Sequence, residues 1–367
     1  MIPEEITKKY SPRIGVLADD LTGAGDVGVQ FADRGLKVKL NISVDIVKEI
    51  PSDTEVWIIN THSRGDKETK AAKKVKKALG FLKKWKAEYY YKKIDSTLRG
   101  PVGNELEAML EELDIDNIPF CAAFPDMGRT TIESVHYVLG IPVGESVYSR
   151  DPEAPVRESN IKKLLASQME HPEKIEAKDA ATNDDLEKIS RECSGKVFAG
   201  AAAWAGKLAD RWLSSARKIQ TVAFTPGSVL IVSGSLNPLS LEQIKHWEKI
   251  GRNSLEVSDD MNKDDIDFNS DLLVKTSVEN IPSISKKINK TACDLWNRKK
   301  WARVILNGGN TAFEFVSSVG IDQLNVIKSL MPGIALIEKE GNYFVLKPGG
   351  YGQADTLAVL NNLLGGR

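Results

Sequence analysis

One stretch limits the fold more than any other. A short apolar run from Ile14 to Ala18 stops at two adjacent carboxylates, Asp19 and Asp20. A run that short and unbroken reads as a strand buried on both faces. Gly23 and Gly25 follow, then a helical pattern marked by Val27 and Phe31 that Gly35 closes. The unit therefore reads as strand, acidic and glycine-bearing turn, helix. In open α/β sheets the ligand lies beyond the carboxyl ends of strands, where helix N-termini offer backbone N–H groups. Two acids there repel each other and lose hydration unless they hold a cation or a substrate hydroxyl. One aspartate would cap the helix; a second points to chemistry. Asp20 is the expected base or hydroxyl-orienting group, with Asp19 as second choice. Asp26 reads as an acid of the first helical turn that serves the dipole.

The same stretch carries a competing signal. Gly23-Ala24-Gly25-Asp26-Val27-Gly28 fits the dinucleotide fingerprint, and Asp45 lies near the spacing of a ribose-binding acid. In that fingerprint the first glycine follows the strand almost directly. Here Asp19-Asp20-Leu21-Thr22 intervenes and sets negative charge where pyrophosphate would lie. An NAD(P)-dependent oxidoreductase built on the Gly23–Gly28 turn is thus the alternative, not the leading reading.

The first half alternates short apolar runs with helical patterns, the signature of a mostly parallel α/β sheet. Strands are expected at Ile14–Ala18, Val38–Ile42, Val56–Asn60, Tyr89–Ile94 and Ile118–Phe124, with helices near Asp26–Arg34, Glu68–Trp85 and Gly103–Glu112. Thr130–Glu158, rich in glycine and proline, is expected to hold a hairpin and a loop over the cleft. Two further strand–helix units follow, and Leu213–Ser228, with Pro226-Gly227, reads as a linker. The second half restarts with strands at Val229–Val232, Arg303–Leu306 and Tyr343–Leu346, and a last helix at Ala354–Leu364. The expectation is α/β with two domains, 1–215 and 216–367, each a mostly parallel sheet flanked by helices; a chain of 367 residues is long enough for two cores.

Bulk properties exclude several classes. The formal net charge of −1 gives no pull toward nucleic acid or anionic membrane, so the lysine-dense segment 67–86 reads as a solvated helix face. Three widely spaced cysteines and four histidines without ligand spacing form no metal or disulfide framework. Met1–Pro12 has no apolar core of a signal peptide, which points to a cytoplasmic protein. A non-catalytic small-acid binding protein, the other alternative, would usually carry an export signal.

Chemistry gathers at strand ends. Lys93-Ile94-Asp95-Ser96-Thr97-Leu98-Arg99 brings cations, an acid and hydroxyls to one place, as an anion site requires. Arg64, after Asn60-Thr61-His62-Ser63, and Arg129, after Pro125-Asp126-Met127-Gly128, are further carboxylate-clamp candidates. In the second half Ser233-Gly234-Ser235, Asn307-Gly308-Gly309-Asn310-Thr311 and Lys347-Pro348-Gly349-Gly350-Tyr351-Gly352 each end a strand and suit phosphate. No P-loop is present.

Ala18-Asp19-Asp20-Leu21-Thr22-Gly23-Ala24, Lys93–Gly100, Gly128-Arg129-Thr130-Thr131, Gly308-Gly309-Asn310-Thr311 and Lys347–Gly352 together resemble the four-carbon acid sugar kinases, in order from about Arg13 to Leu360. The resemblance implies an N-terminal substrate domain, a C-terminal nucleotide domain and ATP-dependent phosphorylation of a terminal hydroxyl on a tetronate or 3-oxo-tetronate. With the strand-end reading above, the substrate contacts expected are Arg64, Lys93, Asp95, Ser96, Arg99 and Arg129. ATP contacts are implied for Ser235, Gly308, Gly309, Asn310, Thr311, Gly349, Gly350 and Gly352, with Mg²⁺ carried mainly on ATP rather than by protein ligands. The partners expected are the sugar acid and ATP, with no nucleic acid and no membrane, the chain acting alone or as a homodimer. Asn310 stands where the family usually has an acid, and Tyr351 replaces a usual Phe.

Overall fold

The structure, a computed structural model, describes residues 11–213, 217–257, 270–275, 281–298, 301 and 303–366. In chain order the strands of the first half are β1 (Ile14–Ala18), β2 (Val38–Asn41), β3 (Val56–Asn60), β4 (Tyr89–Lys93), β5 (Ile118–Cys121), β6 (Arg129–Ile132), β7 (Val135–Val138), β8 (Ile141–Pro142), β9 (Ile175–Ala177) and β10 (Val197–Gly200). Its helices are α1 (Leu21–Ala32), α2 (Glu68–Lys84), α3 (Val102–Leu113), α4 (Ile161–Gln168), α5 (Asn183–Glu192) and α6 (Ala202–Trp212). The second half adds β11 (Leu230–Ser233), α7 (Pro238–Lys249), β12 (Ser254–Glu256), β13 (Leu272–Lys275), α8 (Ile281–Arg298), β14 (Arg303–Asn307), α9 (Gly309–Ser318), β15 (Gln323–Met331), β16 (Ile334–Lys339), β17 (Asn342–Lys347) and α10 (Thr356–Leu363).

The α/β class holds, but the two halves do not keep separate sheets. One 14-stranded sheet runs β12-β13-β11-β14-β17-β16-β15-β2-β3-β1-β4-β10-β5-β9. Strands of the first half pair in parallel, as do β12, β13, β11, β14 and β17. The antiparallel meander of β15 and β16 links the two sets, and β15 pairs antiparallel with β2, Gln323 opposite Asn41 and Val326 opposite Val38. The cause is packing: Leu324 and Val326 are buried and join β2 and α1 in a hydrophobic cluster that runs through both halves. The expected domain boundary, between residues 215 and 216, lies outside the described residues.

Helix α1 corrects a second expectation. It starts at Leu21, directly after Asp20, so Gly23, Gly25 and Gly28 lie inside the helix and form no turn. Their smallness serves close approach. A Cβ on Gly25 would sit 2.9 Å from Leu346 Cδ1 and 3.0 Å from Ala335 Cβ, and one on Gly28 3.0 Å from both Ile58 and Val326. The fingerprint match is therefore helix-to-sheet packing across the seam, and the dinucleotide reading loses its turn. Asp26 correspondingly falls in the second helical turn, outside the reach of the dipole.

The irregular stretch does hold antiparallel strands, β6-β7-β8 in a small separate sheet, followed by 3-10 turns through Arg150. Among the described residues no helix is long and apolar enough to cross a membrane. The packing of α1 gives a paired prediction. Gly25→Val overfills the seam and should cost about 1–3 kcal/mol. Gly80→Ala, in α2 with nothing within 4 Å of the new Cβ, should stabilise by up to about 1 kcal/mol. Denaturant midpoints check both, and equal effects at the two sites would refute the packing account.

Candidate active site

Two sets of strand ends are level. Ala18 of β1 is in register with Asn60 of β3 and Lys93 of β4, so the segments leaving them gather at one edge. Ser233 of β11 is level with Asn307 of β14, and Asn307 with Lys347 of β17, which gathers the three glycine-bearing segments. Both groups line one cleft of about 710 Å³. Asp19, Asp20, Arg64, Lys93, Asp95, Ser96, Arg99, Ser235, Gly308, Gly309, Asn310, Thr311, Gly349 and Gly350 all border it. Arg129 and Gly352 do not. Arg129 is buried behind the wall with its guanidinium 5.5 Å from the Tyr351 ring centre, and Gly352 turns away toward Thr356.

On the first-half side of the cleft the acids are held by the protein's own donors. Asp20 caps α1: its Oδ1 accepts from Gly23 N–H at 2.8 Å and Arg64 Nη2 at 2.7 Å, and its Oδ2 accepts from Thr22 at 2.6 Å. Arg64 Nε also donates to Asp19 Oδ2 at 2.7 Å. Burial raises the Asp20 carboxyl, but Arg64, the Thr22 hydroxyl and Lys93 outweigh it and hold it below the usual range. Asp95 accepts from Arg99 Nε at 2.6 Å and Nη2 at 3.1 Å, and from Thr97. Burial opposes its ionisation, yet Arg99 and Arg64 keep it well below the ordinary carboxylate range. Arg99 reaches Asp151 as well, at 3.0 Å. The two arginines expected as clamps for a substrate carboxylate thus already clamp internal ones.

Two cations keep more capacity. Lys93 Nζ donates to Ile94 O at 2.8 Å and lies 3.8 Å from Asp26 Oδ2. Arg129 has no carboxylate within ion-pair distance among the described residues, and its buried Nε has no partner. Ser96 meets the Tyr351 hydroxyl at 3.2 Å, joining the two halves at the cleft floor. Its carbonyl faces His136 Nε2 at 2.9 Å, and burial pushes His136 down to about 4, so that ring is neutral at physiological pH.

The glycine-bearing side is built of backbone. Gly308, at φ +111°, precedes α9, whose N-terminus has no side-chain cap and opens on the cleft. Its free N–H groups and dipole favour an anion. The glycines also let the turns nest, since a Cβ on Gly349 would meet the Ser235 hydroxyl at 2.1 Å. Beneath them Lys347 is fully buried, donating to Asn307 Oδ1 at 2.9 Å and Pro348 O at 3.1 Å. Burial lowers it to about 7.

Sequence reasoning singled out Asn310 but missed His62, Phe313 and Glu153, which help to bridge the cleft. His62 stacks on Phe313 with ring centres 3.8 Å apart, and Asn310 Nδ2 donates to Glu153 Oε1 at 2.6 Å. Glu153 gives Asn310 a reason: an acid at position 310 would face that carboxylate. No spacing in the chain announces contacts across 157 residues.

Comparison with known proteins agrees with this geometry. Residues 14–199 match the family described as "Sugar-binding N-terminal domain", and residues 259–357 match "Nucleotide-binding C-terminal domain". The chain belongs to the four-carbon acid sugar kinase family, phosphotransferases with an alcohol acceptor. A D-threonate kinase of Salmonella typhimurium is 38% identical over 159 residues, 43% of this chain and 37% of that protein. The D-threonate kinase of Bordetella bronchiseptica is 26% identical over 396 residues, 94% of this chain and 96% of that one. A solved Haemophilus influenzae protein shares the fold, with TM-score 0.73 at 21% identity over 95% of this chain and all of that one. A Bordetella bronchiseptica domain of unknown function, solved as a domain-swapped dimer with bound citrate, gives TM-score 0.51 at 25% identity over 98% and 99% of the two chains.

The arginine network yields a stability prediction. Arg64→Met leaves Asp19 and Asp20 buried without their cation, a loss that typically costs about 3–5 kcal/mol. Chemical denaturation measures it, and a loss below about 1 kcal/mol would show that the network is not structural.

Proposed function

We propose that this chain transfers the γ-phosphoryl group of MgATP to a hydroxyl of a four-carbon sugar acid, a tetronate or 3-oxo-tetronate. One observation carries the reading: a Cβ on Gly309 would lie 2.6 Å from Asp20 Oδ2. The acid-bearing edge and the open N-terminus of α9 are thus one wall, and an acceptor beside Asp20 would lie next to phosphates bound at the turns. Phosphoryl transfer needs this more than covalent chemistry, because it depends on positioning and charge neutralisation.

In this reading Asp20 and Asp19 orient the attacking hydroxyl. Lys93 and Ser96 supply donors for the substrate carboxylate and hydroxyls, Arg129 adds positive charge from behind the wall, and Arg64, Arg99 and Asp95 shape the pocket and hold its acids. Ser235, Gly308, Gly309, Asn310, Thr311, Gly349, Gly350 and Gly352 form the ATP turns, Gly352 by setting their backbone. Mg²⁺ enters on ATP as part of the substrate; among the described residues no group of three or more His, Cys, Asp or Glu could hold a metal. The acceptor half is 1–215 and the nucleotide half 216–367, a division supported by matched spans that fall on either side. A cytoplasmic location and a homodimer belong to the same proposal, the latter supported by the domain-swapped relative.

A coupled ADP-release assay tests the function. Wild type is expected to turn over at least one acid among threonate, erythronate and their 3-oxo forms, and to ignore threitol and erythritol, which lack the carboxylate. Equal turnover of acids and neutral polyols, or NAD⁺ reduction in place of ADP release, would overturn it.

A further inference from the structure

We infer that Asp26 is the group that takes the proton from the acceptor hydroxyl, with Asp20 as a fixed orienting group; this rests on the kinase reading above. The other cleft acids are engaged. Both oxygens of Asp20 accept hydrogen bonds, from Gly23, Arg64 and Thr22. Both oxygens of Asp95 accept from Arg99, with Thr97 on one of them. Asp19 is bound to Arg64 through Oδ2. A carboxylate whose lone pairs are filled by donors, or that faces a guanidinium at contact distance, is a weak base.

Asp26 differs in its cation: among the described residues it pairs with no guanidinium, whereas Asp19, Asp20 and Asp95 all do. It borders the cleft, is 1% exposed, and its Oδ1, like that of Asp19, has no hydrogen-bond partner among the described residues. Its nearest cation, Lys93, stands off at 3.8 Å from Oδ2. The charged and titratable groups around it are Asp20 from the start of α1, Lys93 and Asp95 from the end of β4, Arg129 from β6, and the Tyr91 and Tyr351 hydroxyls. Burial, only partly offset by Lys93, raises Asp26 to about 6, a value suited to accepting a proton near neutrality. A buried carboxylate whose nearest cation stands at 3.8 Å is costly to keep.

The step balances. The substrate hydroxyl oxygen bonds to the γ-phosphorus of ATP, and the bond from that phosphorus to the β–γ bridging oxygen breaks. ADP leaves with that electron pair, and the hydroxyl proton passes to the Asp26 carboxylate and then to solvent.

The test compares wild type, Asp26→Asn and Asp26→Glu as full-length enzymes, with the best acid from the ADP-release panel, between pH 5 and 9. Wild-type kcat should fall on the acid side with an apparent pKa near 6. Asp26→Asn should lose about 10²- to 10⁴-fold in kcat, lose that acid limb, and keep both KM values within a few-fold. Asp26→Glu should recover part of kcat together with a limb. A second readout needs no turnover. Because the folded pKa is raised, the ionisation of Asp26 costs wild type stability as pH rises from about 4 to about 6. The melting temperature of Asp26→Asn should therefore gain on wild type across that interval and hold its lead above it. An Asp26→Asn kcat within five-fold of wild type, a wild-type profile flat from pH 5 to 7, or a melting difference independent of pH would each overturn the assignment. If wild type releases no ADP with any acid, the kinase reading itself fails and the assignment falls with it.

Discussion

The site rests on a carboxylate in an expensive place. Asp20 is buried at the end of β1, where an isolated charge would lose its hydration. Three things hold it there: the Gly23 amide in the first turn of α1, the Thr22 hydroxyl and the Arg64 guanidinium. Each is supplied by a strand end that the register of β1 and β3 brings level. The same carboxylate lies against Gly309, where α9 begins. Two helix N-termini thus converge on one acid, one from each half of the chain.

That convergence depends on the seam. Pairing of β15 with β2 fuses the parallel sets into one sheet, and α1 lies across the join with glycines at its contacts. The acid-bearing edge and the glycine-bearing turns are positioned by the same packed core. Side chains then close the gap from both sides: Ser96 to Tyr351, His62 to Phe313, Glu153 to Asn310. Lys347 extends the logic under the turns. Lys347, with two neutral oxygen partners and no carboxylate within ion-pair distance among the described residues, links the backbone of one turn to the strand end beneath the next.

Much of this was legible because α/β folds place chemistry at strand ends. Apolar runs marked β1 and β3 to the residue, and the motifs after β1, β4, β14 and β17 do meet in one cleft. What stayed hidden has physical reasons. β15 is a half-buried strand whose alternation is weak, and the buried run Ile334–Ile337 of β16 carries no sign of which strand it joins, so the seam was invisible and two sheets were expected. Glycines in a helix and glycines in a phosphate turn share one local pattern, and only the start of α1 at Leu21 separates them. Residue type told that Arg64 and Arg99 bind carboxylates; only coordinates show that those carboxylates are Asp19, Asp20 and Asp95. The same holds for Asp26, which among the described residues pairs with no guanidinium and has Lys93 at 3.8 Å.

The central claim is that both substrates meet in the cleft and the phosphoryl group passes directly between them. The stereochemical course at phosphorus tests this most directly, using ATP made chiral at the γ-position with oxygen isotopes and the acid that wild type turns over. A single in-line transfer from ATP to the hydroxyl inverts the configuration, and inversion is the result the structure predicts. Retention would mean two transfers through a phosphorylated protein group, and would contradict a site built to hold donor and acceptor side by side.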